Sequence, residues 1–240
     1  MSGTGPTRYY TFDPVEHLLI NPVYNALSTG DSSLAFGNDR VKYFDEQVSP
    51  FIGIANGNTD GFKELLQLLP VGRKILYATP QIIEEPEGWQ LLNETKGVQF
   101  VLDPGANPDN AFGIPVPLQK ENIEEMVKLA TLTKPGPFGE RTIDFGNYYG
   151  IFQDGRLAAM AGQRLHVTQY TEVSAVCTHP DYTGSGFAAA LIQHQINVIR
   201  REGKIPFLHV REDNSRAIAL YERLEFKVSR LMNFYFLKRR

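Results

Sequence analysis

The segment from Val176 to Ala188, Val-Cys-Thr-His-Pro-Asp-Tyr-Thr-Gly-Ser-Gly-Phe-Ala, constrains the fold more than any other part of the chain. An extended run at residues 171–178 enters a tight loop that opens directly into a long helical pattern. Phe187, Ala188, Leu191, Ile192, Gln195, Val198 and Ile199 recur at helical spacing, and Gly203 supplies a stop. Gly184 and Gly186 carry no Cβ, so main chain can approach a ligand closely and successive N–H groups can turn inward. The helix N-terminus adds unpaired donors and partial positive charge. Such a loop suits a diphosphate without any lysine, although on its own it is more often a plain strand-to-helix turn.

The surrounding pattern gives this loop a context. Ile123, Met126, Val127 and Ala130 mark one helical face, and Thr133-Lys134-Pro135-Gly136-Pro137-Phe138 is too rich in turn residues to be helix. Asp154-Gly155 between two apolar runs predicts a tight hairpin. After the long helix come a buried strand at 205–210, a helix at 215–224, and two extended segments at 226–229 and 231–237. The order is helix, three strands, helix, strand, helix, two strands. Upstream, Asp103-Pro104-Gly105-Ala106-Asn107-Pro108-Asp109-Asn110 disfavours both helix and strand. It divides the chain into units of residues 1–106 and 107–240.

The first unit reads as α/β. A helix is expected over 15–27, ended or kinked by Pro22. Residues 51–55, 74–78 and 98–102 read as strands, with a helix on Phe62, Leu65, Leu66 and Leu69 capped from Asn58-Thr59-Asp60. Gly53, Gly57 and Gly61 read as scattered turn residues rather than a phosphate loop.

Composition narrows the function. A formal net charge of −3 and a pI near 6.0 give no broad basic surface, so nucleic acid is not an expected partner. Lys238-Arg239-Arg240 is too short to change that. A single cysteine, Cys177, excludes an internal disulfide and a Cys-based zinc site, and no metal is expected. The N-terminal residues lack a signal-peptide pattern, and no apolar run approaches the ~20 residues of a membrane span. A cytoplasmic protein without membrane contact is the expectation.

The next signature is Asn214 followed by Ala217 and then Tyr221-Glu222-Arg223-Leu224-Glu225-Phe226. With the glycine loop in the same order, residues 111–240 resemble the GNAT superfamily of N-acetyltransferases, particularly its glycine N-acyltransferase-like branch. The family's cofactor motif, Arg/Gln-x-x-Gly-x-Gly/Ala, reads here Thr183-x-x-Gly186-x-Ala188. Its second signature ends Tyr-Glu-x-Leu-Gly-Phe. Two departures stand out: Thr183 replaces Arg or Gln, and Glu225 replaces the Gly that ends the helix in a left-handed conformation.

The resemblance implies the GNAT fold, a mixed and mostly antiparallel sheet flanked by helices, preceded here by a smaller α/β unit that reads as a degenerate GNAT-like copy. It implies direct attack of a primary amine on acetyl-CoA in a ternary complex. The acceptor is a small molecule or a peptide, and a homodimer is compatible with it. Val176, Cys177 and Thr178 would flank the pantetheine arm, with a backbone N–H near Val176 polarising the thioester carbonyl. Thr183, Gly184, Ser185, Gly186, Phe187, Ala188 and Ala189 would hold the diphosphate, and Asn214 would cap its helix or bind pantetheine. Tyr221 is the implied general acid, or else a core aromatic on the face of Ile218 and Leu224.

A lysine-like amine is neutral only about once in 2,500 molecules at pH 7, so a base is useful. Glu172, eleven residues before Thr183, is the candidate. Strand alternation would set it on one face with Ser174, Val176 and Thr178. His179 and His209 are alternative bases. Arg141, Tyr148, Tyr149, Arg164 and the 133–138 loop are candidates for the acceptor wall. Two readings compete with acetyl transfer: transfer of a longer acyl group, and a non-catalytic acyl-CoA sensor that would need neither Glu172 nor Tyr221.

Overall fold

Buried β-branched and aromatic runs form one sheet through the whole protein, seen in a computed structural model that describes residues 18–106 and 115–240. The elements are α1 (Pro22–Ser28), β1 (Ala35–Gly37), β2 (Val41–Phe44), β3 (Phe51–Ile54), α2 (Gly61–Leu68), β4 (Lys74–Thr79) and β5 (Trp89–Leu102). They continue with β6 (Val116–Pro117), α3 (Ile123–Thr133), β7 (Tyr149–Gln153), β8 (Arg156–Val167), β9 (Tyr170–Thr178), α4 (Phe187–Arg201), β10 (Ile205–Arg211), α5 (Ser215–Arg223) and β11 (Phe226–Arg239). The 11-stranded sheet has the order β1-β2-β3-β4-β11-β5-β10-β9-β8-β7-β6. Only β3/β4 and β9/β10 pair in parallel, and a helix crosses between the strands of each pair, α2 and α4 respectively.

The strand order is nearly the same read outward in either direction from the β11/β5 seam: a helix-linked parallel pair, then antiparallel strands. β5 lies between β10 and β11, and β11 between β4 and β5, so each half lends its last strand to the other. The boundary expected at 106/107 falls between β5 and β6, where residues 107–114 are outside the described residues. The sheet runs across it without a break.

Helices cover both faces. α4 and α5 bury Ile192, Ile196, Ile199, Tyr221 and Leu224 over β5, β9 and β10. α1 and α3 cover the opposite face with Leu19, Val23, Leu27, Met126 and Leu129. Under α2, Leu65 packs on Trp89 and Tyr235, and the indole Nε1 donates to the Phe62 carbonyl at 3.1 Å.

Most expected elements are present, including the hairpin, where Asp154 and Gly155 both have positive φ. Four readings change. Pro22 starts α1 rather than ending a helix, because the first helical position has no N–H bond to lose; residues 15–17 of the expected helix lie outside the described residues. The two closing segments are one strand, β11, with a bulge between Val228 and Arg230 that absorbs Ser229. β5 begins at Trp89, its polar first part held by the long ladder to β11 rather than by apolar pattern. Gly53 sits inside β3, where a Cβ would lie 2.4 Å from the Tyr24 Cα, so its role is close approach of α1 and not a turn. Among the described residues no helix is long and apolar enough to cross a membrane.

Candidate active-site cleft

β9 and β10 pair only from Ile205↔Tyr170 to Phe207↔Glu172. Beyond that point β9 runs on to Thr178 and β10 to Arg211 without pairing to each other, and a cleft of about 810 Å³ opens between them. β9 also carries one extra residue against β8: Met160 faces Cys177 while Gly162 faces Ser174, and Ala175 has a φ of 52°. A bulge of this kind bends the strand and increases its twist. It also breaks the alternation expected from the sequence. Val173 and Val176 pack beneath the α4/α5 layer, whereas Cys177 joins the core on the other face, so Glu172, Ser174, Val176 and Thr178 do not share one face.

The glycine loop closes one end of the cleft. Gly184 and Gly186 have φ of 92° and 80°, the left-handed region that glycine occupies without penalty. A Cβ at either position would meet no atom within 4 Å, so both face open space. Gly186 is the N-cap of α4 without any side-chain cap, and the first helical bond is from Ala190 N–H to the Gly186 carbonyl at 3.0 Å. The amides of Phe187, Ala188 and Ala189 therefore have no acceptor within the helix. Thr183, Gly184, Gly186, Phe187, Ala188 and Ala189 line the cleft; Ser185 does not. Thr178 lines it too, and its buried hydroxyl has no hydrogen-bond partner. Uncapped amides, an open glycine cradle and an orphaned hydroxyl fit the diphosphate and pantetheine of an acyl-CoA. Asn214 caps α5 by accepting from Ala217 N–H at 3.1 Å and lines the same cleft. Cys177 does not line it: the thiol is 2% exposed, and burial pushes its pKa up to about 12.

The cleft's floor is a buried polar chain. Arg164 grips Glu172 with two bonds of 2.8 Å, Nε to Oε2 and Nη2 to Oε1. His209 Nδ1 lies 2.7 Å from the same Oε1, and its Nε2 lies 3.0 Å from Gln99 Nε2. Burial alone would raise the Glu172 pKa; the Arg164 charge and hydrogen bonds, then His209, more than offset it and hold the carboxyl at about 2. Glu172, the base candidate from the sequence, is 1% exposed and holds both the Arg164 guanidinium and His209. Tyr221 lines the cleft from α5, between the rings of Phe100 and Phe226, and burial pushes its phenol up to about 12.

Of the acceptor-wall candidates, Arg164 and the loop residues Thr133, Lys134 and Pro135 line the cleft. Arg141 instead pairs with Asp144 and Asp45, Tyr148 is buried, and Tyr149 packs against the His194 ring at a tilt. His179 turns its ring back to accept from Asp181 N–H. Two contributors from the first half were missed. Gln99 is fully buried in β5, and Phe51 of β3 lies under the Arg164 guanidinium, 4.7 Å from ring to cation. A lone amide in the apolar run Val98 to Leu102 was the available signal, since buried polar side chains need partners.

Comparison with known proteins agrees with this geometry. The FR47-like protein family matches residues 148–235. A ribosomal protein bS18-alanine N-acetyltransferase from Escherichia coli K12 is 32% identical over 99 residues, 41% of this chain and 64% of that protein. The chain thus spans 64% of the length of that relative, and the curated relatives it matches carry alanine N-acetyltransferase names rather than those of the glycine N-acyltransferase-like branch. A GCN5-related N-acetyltransferase from Kribbella flavida shares the fold at 13% identity, with a TM-score of 0.60 over 90% of this chain and 95% of that one. A GNAT-family protein from Novosphingobium aromaticivorans is 34% identical, with a TM-score of 0.86 over 93% of this chain and 99% of that one. Matched over nearly its whole length at that identity, the chain belongs to the GNAT family of acetyltransferases.

Proposed function

We propose that the protein transfers an acetyl group from acetyl-CoA to a primary amine by direct attack within the β9/β10 cleft. The observation that carries this reading is the pairing of β9 and β10, which stops at Glu172 and Phe207 beside an uncapped helix N-terminus. The amides at the head of α4 and the loop from Thr183 to Gly186 hold the diphosphate. The bulged outer part of β9, unpaired toward β10, offers main-chain groups to the pantetheine and a donor near Val176 to the thioester carbonyl. Thr178 and Asn214 complete that wall.

Tyr221 is the general acid in this reading. The amine nitrogen bonds to the acetyl carbonyl carbon, the C–S bond breaks, and the phenol gives its proton to the departing thiolate. A phenol held at about 12 stays protonated at neutral pH, the state an acid must begin from. Glu172, held as an ion by Arg164, positions His209 and the floor. The first half is read as a degenerate copy of the second: β3, α2 and β4 mirror β9, α4 and β10, but Ile54 packs against Gly61 at the head of α2, and Phe62, Tyr77 and Trp89 fill the region beneath that helix.

The test is free-thiol release from acetyl-CoA with a panel of amines. Release that depends on an amine and falls on the order of 100-fold or more in Tyr221→Phe supports the reading. Binding of acetyl-CoA with no thiol release from any amine would make the protein an acyl-CoA sensor, and faster turnover of longer acyl-CoAs would change the donor.

A further inference from the structure

The two-bond grip of Arg164 on Glu172 depends on how β8 presents Arg164. β8 carries one extra residue between the pairs Gln163↔Val173 and His166↔Thr171, so Arg164 and Leu165 both stand opposite Glu172. A bulge of this kind re-aims side chains. Leu165 joins the core that holds Phe51, and the Arg164 guanidinium lies over that same Phe51 ring, so both side chains reach one side of the sheet. In regular pairing neighbouring residues alternate, and they could not both do so.

The bulge lies where β8 has lost its outer neighbour. β7 pairs with β8 no further than Tyr149↔Ala161, and at His166 the residues just after α1 take over that edge. Gly30 N–H donates to the His166 carbonyl at 3.0 Å, and His166 N–H donates to Asp31 Oδ2 at 3.0 Å. His166 Nδ1 lies 2.6 Å from the other oxygen, Oδ1. Thr29 Oγ1 accepts from Thr168 N–H at 3.2 Å. The approach is close enough to need glycine, since a Cβ on Gly30 would stand 2.4 Å from the His166 carbonyl oxygen.

On the other side of the bulge Gln163 is fixed in turn. It accepts from Asn147 Nδ2 at 2.8 Å and donates to Gln195 Oε1 of α4 at 3.1 Å. Arg164 is thus set between two anchored residues, one held by the second half and one by the first. Asp31 is 3% exposed, and both of its oxygens are engaged by His166. Burying a carboxyl group is costly unless its bonds are made, so this one is committed to holding His166. Neither Asp31 nor His166 lines the cleft.

We infer that Asp31, in the first half, is a positioning residue for acetyl transfer in the β9/β10 cleft, granted the acetyltransferase reading above. It holds His166, His166 fixes the β8 bulge, and the bulge aims Arg164 at Glu172. Without that hold β8 is free to slip toward regular pairing past Gln163, and a one-residue slip turns side chains to the opposite face. The Arg164 fork then leaves Glu172 and Phe51, and Glu172 and His209 lose their fixed place on the cleft floor. The glycine loop and the head of α4 share no residue with this chain of contacts, so acetyl-CoA binding is spared.

Asp31→Asn keeps the side chain's shape but exchanges one acceptor oxygen for a donor. The NMR resonance of the Arg164 Nε–H, assigned by its loss in Arg164→Lys, reads the grip on Glu172 directly. Asp31→Asn should shift it and speed its exchange with solvent, while the Arg40 Nε–H, bonded to Glu64 on the surface, stays in place. In thiol release with any accepted amine, kcat should fall on the order of 10–100-fold, with KM for acetyl-CoA within about two-fold of wild type. Arg164→Lys keeps the charge but loses the fork, and in that background Asp31→Asn should cost less than about two-fold more. Ile75→Val, a core change beneath α2, should move neither readout. An unmoved Arg164 resonance in Asp31→Asn, or kcat losses that simply multiply with Arg164→Lys, overturns the inference. An equal kcat loss in Ile75→Val also overturns it, by making the effect one of stability. If wild type releases no thiol with any amine, acetyl transfer itself fails, and the resonance alone decides whether Asp31 positions Arg164.

Discussion

Replacing Arg164 with Met probes whether the cleft floor is held by charge. The side chain of Glu172 is 1% exposed, and without the guanidinium its carboxylate keeps only the His209 bond. Breaking a buried ion pair from one side typically destabilises by ~3–5 kcal/mol. The size of the interaction can also be read from the carboxyl itself, whose pKa falls from 4.5 to about 2 on folding. At 1.36 kcal/mol per pH unit that is ~3 kcal/mol. Because the folded value is the lower one, this stability is complete above ~pH 5 and is lost as the pH falls through 4.5 toward 2. Arg164→Met should therefore lower the urea-unfolding free energy by ~3–5 kcal/mol at pH 7. At pH 4 wild type has lost ~1 kcal/mol of the Glu172 contribution while the variant's carboxyl is already neutral, so the gap should narrow by at least that much. Trp89, the only tryptophan and fully buried, reports the transition by fluorescence. Arg164→Met with Glu172→Met, which removes both charges, should recover most of the loss. A gap that is unchanged between pH 7 and pH 4, or below ~1 kcal/mol at pH 7, would show that the ion pair does not hold the floor as argued.

Two further outcomes follow from particular residues. With its phenol at about 12, Tyr221 stays protonated across the working range, so kcat should show no descending limb between pH 7 and 10; a limb near 9 that disappears in Tyr221→Phe would refute the raised value. Glu225 occupies a left-handed conformation at φ 67°, just past α5, and Glu225→Gly should leave activity unchanged and raise stability by up to ~1 kcal/mol in thermal unfolding, whereas a loss of stability would mean that the carboxylate side chain outweighs the backbone strain.

The glycine loop was legible because its chemistry is local. Positive φ at Gly184 and Gly186, the uncapped start of α4 and the capping by Asn214 are all decided within a few residues of sequence. The left-handed turn at Glu225 was legible for the same reason. What could not be read was decided by partners far away along the chain. The bulge at Ala175 depends on register against β8, so simple alternation misassigned the faces of β9. Glu172 was visible as a carboxylate near the right place, but its ionisation state is set by Arg164, by His209 and by burial. The polar first part of β5 carries no strand pattern because it is held by its ladder to β11.

The missed residues also show why the two halves work together. β5 fills the gap between β10 and β11, and it brings Gln99 to His209, while β3 brings Phe51 to Arg164. Leu19, just ahead of α1, supplies the carbonyl that orients Gln99. The floor beneath the β9/β10 cleft is thus built from both halves, although the cradle belongs to the second alone. A cofactor loop needs only backbone geometry, which one strand-loop-helix unit can provide. A buried Arg–Glu–His chain needs each polar atom satisfied in a low-dielectric site, and the second half lacks the strand to do that without β5. Exchange of the last strands is therefore what allows a charged floor to be both buried and fixed, and with it the orientation of His209 against Glu172 and Gln99.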